Sequence, residues 1–215
     1  MLYVSSQIDT GLAPRMGQIC QKIRLAYPAV CEVTPSYTSI LIETHAFDVD
    51  LNLLGREIAE FINDCLRSEM QEVKRKALEL PVYYGSEVGC DLQAVAKYAG
   101  MSVAEVVSIH SGCDYTVCAI GFAPGFAFLA ELDERIAMPR RGTPRSHVPA
   151  GSVGIAERQT AVYPAATPGG WQLIGKCPVT VYDPSRSPIC LFEVGDRVRF
   201  VPIDREAFVQ KGGCF

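Results

Sequence analysis

Apolar positions recur at helical spacing in two stretches of the first third of the chain. Leu12, Met16, Ile19, Cys20, Ile23 and Ala26 mark one amphipathic helix, which Pro28 stops. Leu51, Leu54, Ile58, Phe61, Ile62, Cys65 and Leu66 mark a second, with Asp48 or Asp50 placed to cap it. Around these helices the pattern turns to extended runs over 2–5, 30–34, 38–43 and 77–83. The order β-α-β-β-α-β over residues 1–82 predicts a ferredoxin-like split βαβ module, with two helices on one face of an antiparallel sheet.

Residues 84–89 read as a loop, and the pattern changes behind them. Residues 91–99 and 102–110 predict two short helices around Gly100 and Met101, the second opened by Ser102 and Glu105 at capping-box spacing. Strand-like runs follow at 115–120, 152–156, 159–163, 171–174, 179–182, 189–192 and 197–201. Many short strands punctuated by turn residues indicate a closed barrel or a sandwich. The expected architecture is α+β, with a ferredoxin-like domain over 1–82 and a β-barrel domain over 83–215.

The helix pair at 91–110 has the outline of a helix-turn-helix. Its second helix carries Glu105 and neither arginine nor lysine, which major-groove reading normally needs. A formal net charge of −4 and a pI near 5.4 also argue against a phosphate-backbone partner. No apolar run approaches the roughly 18 to 20 residues of a bilayer span. The opening MLYVSSQIDT lacks a signal-peptide layout, so neither nucleic acid nor membrane is an expected partner and the expected address is cytoplasmic. The nine cysteines have no C-x-x-C spacing and the three histidines stand far apart, so no metal site is expected. Most of the cysteines are expected to be buried, with Cys214 the best candidate for an exposed thiol.

Glycine and proline are densest between Gly121 and Pro178, where they exclude long helices and favour turns with bare amides. Interleaved with them are Arg140, Arg141, Arg145, His147, Gln159, Thr160, Tyr163, Thr167 and Lys176, which turns can bring to one pocket. Residues 159, 161 and 163 share a strand face and Thr160 takes the other. Trp171, Phe122 and Phe126 read either as a pocket wall or as core.

Four phrases carry a resemblance: GFAPGFAFL (121–129), PRRGTPR (139–145), VPAGSVGIAERQTAVYP (148–164) and TPGGWQLIG (167–175). Together they resemble the family containing the B subunit of 5-oxoprolinase, the sporulation-kinase inhibitor KipI and the first half of the urea carboxylase carboxyltransferase domain, also labelled allophanate hydrolase subunit 1. The likeness is specific over 106–201 and looser over 1–82. It implies an N-terminal ferredoxin-like domain and a C-terminal cyclophilin-like barrel. The family pattern opens with a Gly-Asp-x-Ala phrase that is missing here, so a short first strand is expected.

The resemblance further implies ATP-dependent opening of 5-oxo-L-proline to L-glutamate, in a complex with the A and C subunits, by a chain inactive on its own. Alternatives are KipI-like inhibition of a sensor histidine kinase, or a carboxyltransferase role on urea or a related amide. Lactam opening needs cations for a carboxylate and for phosphoryl charge, and donors for an oxyanion. Arg141, Arg145 and Lys176 can supply the charge, and amides around Gly151, Gly169 and Gly170 the donors. His110, Arg145, Gln159 and Tyr163 are the expected catalytic residues. His110 matches the family's histidine before a strand. Phe122, Phe126, Arg141, His147, Gly151, Thr167, Gly169, Gly170, Trp171 and Lys176 are the expected substrate contacts. No P-loop or dinucleotide fingerprint is present, so ATP with Mg²⁺ is expected to bind only in the complex.

Overall fold

The computed structural model describes residues 1–6, 9–45, 49–68 and 76–215. The chain divides into two units, Met1–Arg75 and Lys76–Phe215.

In the first unit, β1 (Leu2–Tyr3), α1 (Ala13–Ala26), β2 (Val30–Pro35), β3 (Ser39–Thr44) and α2 (Leu51–Arg67) follow in order. The strands form an antiparallel sheet in the order β1-β3-β2. The two predicted apolar stripes meet as expected: Met16, Ile19, Cys20 and Ile23 join Leu54, Ile58, Ile62 and Cys65 over Val33 and Ile40. Asp50 caps α2, its carboxylate accepting from the amides of Asn52 and Leu53 at 2.9 and 3.0 Å. Asp48, the other expected cap, lies outside the described residues. The first strand is short, at two residues.

The strand expected to complete the ferredoxin-like sheet belongs elsewhere. β4 (Ala77–Tyr83) pairs in parallel with a strand near the C-terminus, from Ala77 opposite Arg197 to Tyr83 opposite Ile203. It therefore opens the second unit, and the division falls before residue 77 rather than after 82. Period-two burial explains the choice: Leu80 and Val82 are buried on one face of β4, which the barrel needs and a solvated edge strand does not. Among the described residues the first sheet keeps three strands.

The second unit continues with α3 (Leu92–Ala99), α4 (Val103–Ser111), β5 (Asp114–Ile120), β6 (Ala127–Ala130), β7 (Arg145–Val148), β8 (Ser152–Ala156), β9 (Gln159–Val162), β10 (Thr167–Gly169), β11 (Gln172–Lys176), β12 (Arg197–Ile203) and α5 (Arg205–Gln210). Seven strands close a barrel in the order β11-β4-β12-β5-β6-β9-β8, and β7 pairs with β10 as a separate ribbon. The Ser102 and Glu105 capping box forms as its spacing predicts. Two expected strands, 179–182 and 189–192, reduce to a single bridge between Tyr182 and Cys190. Pro178, Pro184 and Pro188 remove amide donors from this stretch. No helix among the described residues is long and apolar enough to cross a membrane.

All nine cysteines are free, but four are buried: Cys20, Cys65, Cys118 and Cys177. Cys31 and Cys90 are exposed along with Cys214, so the expectation of mostly buried thiols fails.

Candidate functional site

Strand β9 sorts its side chains by alternation. Ala161 and the following Tyr163 turn into an aromatic cluster with Phe126, Trp171, Val148, Ala156 and Leu173, while Thr160 takes the opposite face. Phe126 is its centre, with ring centroids 5.2 Å from Phe122 and Tyr163, 4.9 Å from Phe128 and 5.6 Å from Trp171, all near edge-on. That geometry sets positive ring edges against negative faces. Phe126, Tyr163 and Trp171 are buried, and Phe122 is exposed on a left-handed backbone with φ of 71°. Gly169 lets the turn before Trp171 lie on the Tyr163 ring: a Cβ there would stand 2.5 Å from the phenol oxygen.

Guanidinium groups gather beside this cluster. Arg140 lies over the Trp171 ring at 5.9 Å. Arg145 Nη2 donates to Asp91 Oδ1 at 2.7 Å, and Arg141 Nη1 reaches the same oxygen at 3.3 Å. The other carboxylate oxygen of Asp91 accepts from the Leu173 amide at 2.7 Å, and the Asp91 amide donates to the Leu173 carbonyl at 2.9 Å. Arg145 also donates to Cys90 Sγ at 3.2 Å and toward the Trp171 carbonyl at 3.4 Å. The Arg141 amide donates to the Gly170 carbonyl at 2.7 Å, tying the arginine loop to the glycine turn. Three guanidiniums against one carboxylate leave this edge positive and suited to an anion.

The expected single hollow divides along β11. Trp171 immediately precedes the strand and Lys176 ends it, so with about 3.3 Å of rise per residue the two lie well apart. At the Trp171 end stand Arg141, Arg145, Gly169 and Gly170. At the Lys176 end a cavity of about 380 Å³ is lined by Gly151, Tyr163, Lys176, Val179, Thr180 and Cys214, among others. Lys176 Nζ donates to the Cys214 carbonyl at 2.7 Å. Gly151 is not a free oxyanion donor: its amide donates to the Tyr163 carbonyl at 2.8 Å, and its carbonyl accepts from Cys177. Gln159 opens β9 opposite Ala156, at the far end of the strand from Tyr163. His147 is exposed on β7. Thr167 stands opposite Val148 in the ribbon, with its buried hydroxyl oxygen lacking a partner.

His110 is not a surface proton shuttle. It is fully buried, stacked on Phe200 at 4.6 Å between centroids, with Nδ1 2.7 Å from the Tyr84 hydroxyl and Nε2 2.9 Å from Thr160 Oγ1. The Thr160 hydroxyl donates to the Gly154 carbonyl at 3.1 Å, so it accepts from Nε2–H, and Tyr84 donates to Nδ1. Burial lowers the His110 pKa to about 3, which keeps the ring neutral. Tyr163 is likewise core: burial raises its pKa, and its ring supports the 167–171 turn from beneath.

Asp91 is the group that sequence reasoning missed. It sits where a helix begins, so its ordinary reading is a cap, yet its side chain makes no cap bond and turns to the arginines instead. An acidic residue is rarely buried unless paired, but its partners are 50 and 54 residues away. No local pattern reveals such a pairing.

The carboxyltransferase domain, subdomain C and D, matches residues 1–192. The chain is similar to the 5-oxoprolinase B subunit of Bacillus subtilis (strain 168), with 42% identity over 192 residues, covering 85% of this chain and 79% of that protein. It is also similar to the protein of the same name from Escherichia coli O157:H7, at 50% identity over 135 residues, 63% of this chain and 62% of that one. Among solved structures, TTHA0988 superposes with a TM-score of 0.79 at 33% identity, covering 94% of this chain and 39% of that chain.

Proposed function

The chain belongs to the carboxyltransferase domain family, subdomains C and D, and on that premise we propose that it is the B subunit of a 5-oxoprolinase, opening 5-oxo-L-proline to L-glutamate. The observation that carries the reading is the positive edge at the Trp171 end of β11, where Arg140, Arg141 and Arg145 gather around one buried carboxylate. A five-membered lactam acid carries its own carboxylate, and a guanidinium fork matches that group with two parallel donors. The lactam amide is a poor acyl donor. Transfer of the γ-phosphoryl group of ATP to its oxygen turns that oxygen into a leaving group. Water then adds at the ring carbon, the C–N bond opens, and glutamate and phosphate are released.

This chain supplies substrate orientation, and ATP-dependence rests with the assembly. Among the described residues no three histidine, cysteine or acidic side chains converge as a cation site, so we assign Mg²⁺ and ATP to a site completed by the A and C subunits. The test is to mix the chain with homologues of those two partners and follow glutamate release with ATP hydrolysis. The expected result is 5-oxo-L-proline-dependent turnover in the complete mixture and none from the chain alone. A complete mixture that leaves the lactam closed overturns the reading.

A further inference from the structure

We propose that Asp91 is the positioning residue of this site: it fixes the bearing of Arg141 and sets the charge so that a monoanionic carboxylate is preferred to a polyanion. This rests on the 5-oxoprolinase reading for the identity of the carboxylate, and on the geometry alone for the role of Asp91.

The two arginines that Asp91 holds are not equivalent. Arg145 is consumed by its contacts with Asp91, the Cys90 sulfur and the Trp171 carbonyl, and its side chain is 21% exposed. Arg141 makes one longer contact with Asp91 and is 38% exposed. Its Nε and Nη2 groups have no partner among the described residues, while its backbone is pinned to the Gly170 carbonyl. One guanidinium is thus a fastening and the other is offered to a ligand.

Asp91 is itself rigid, at 8% side-chain exposure, because the Leu173 amide claims its second oxygen. Two guanidiniums that share one oxygen repel each other unless a negative charge lies between them. With the carboxylate in place, this pair carries one net positive charge, which one substrate carboxylate neutralises. Without it the pair carries two, which suits phosphate better. A role confined to stability would alter both anions alike, so selectivity separates the two.

The probes are 5-oxo-L-proline, 2-pyrrolidone (the same ring without a carboxylate) and inorganic phosphate. Their binding to the full chain is followed through the Nε–H resonance of Arg141, and KM and kcat are measured in the complete mixture. In the wild-type chain 5-oxo-L-proline shifts Arg141 saturably and 2-pyrrolidone does not. Asp91→Asn weakens 5-oxo-L-proline by about tenfold, the value of one charge-assisted hydrogen bond. It tightens phosphate and raises KM by more than it lowers kcat. Asp91→Glu restores part of the selectivity.

Should Asp91→Asn fail to fold, Arg141→Lys leaves the Asp91 to Arg145 contact intact and is expected to lose the same preference for 5-oxo-L-proline over 2-pyrrolidone. Equal losses for both anions, unchanged KM in the Asp91 variants, retained preference in Arg141→Lys, or a wild-type chain whose Arg141 ignores the carboxylate each overturn the proposal. A mixture that opens no lactam while the resonance pattern holds removes the enzyme reading and leaves Asp91 in its role. A mixture that turns over with indifferent Asp91 variants does the reverse.

Discussion

The two ends of β11 hold positive charge in different ways. Beside Trp171, guanidinium groups are set by a buried carboxylate whose other oxygen is claimed by the backbone. At the other end Lys176 is held by one carbonyl bond, to Cys214. A fixed fork supplies oriented donors before a ligand arrives, whereas an ammonium on a flexible stem must be ordered by the ligand. The difference teaches that the arginine end is preorganised for a planar anion and the lysine end is not.

The largest way to break this contrast is Asp91→Ala. It leaves Arg145 and the Leu173 amide without their shared acceptor, and a loss of about 3 kcal/mol in denaturant unfolding is expected. Gly151→Ala strikes the lysine end through the backbone. With φ of 79° and a Cβ 2.5 Å from the Cys177 carbonyl oxygen, it should cost about 2 kcal/mol in the same measurement.

Acidification probes the core that both ends rest on. The His110 pKa is near 3 in the folded state against 6.5 for the free side chain. Between these values the unfolded chain binds the extra proton. The contribution is therefore complete above pH 6.5 and is lost as pH falls toward 3, the loss amounting to about 2 kcal/mol by pH 5. His110→Gln should flatten this part of the stability-against-pH curve. The smallest effect belongs to Lys176→Gln, which removes one exposed bond and should change stability by about 0.5 kcal/mol.

How much of this was legible depends on the range of the physics involved. Period-3.6 stripes located α1 and α2, and the capping box located the start of α4, because those signals lie within a few residues. β4 was visible as a strand, but its sheet was not. ALELPVY reads the same whichever partner covers Leu80 and Val82, and the partner lies about 120 positions along the chain. The glycine and proline phrases marked the region of the site correctly, yet they suggested one hollow where β11 separates two ends.

Individual roles failed where burial decided them. His110 looked like a titrating group because its identity is visible in sequence, while the Phe200 ring and the Thr160 hydroxyl that enclose it are not. Gly151 looked like a bare amide, and its donor is spent on Tyr163. Asp91 escaped for the opposite reason, since a helix-starting aspartate has a sufficient local explanation.

The central claim is that the Trp171 end of β11 receives the substrate carboxylate. Its most direct test is the KM for 5-oxo-L-proline in the complete three-component mixture, measured with wild-type chain and with Arg141→Ala. A rise of about tenfold or more is expected, with the KM for ATP unmoved. An unchanged lactam KM, or an equal rise in both constants, would contradict it.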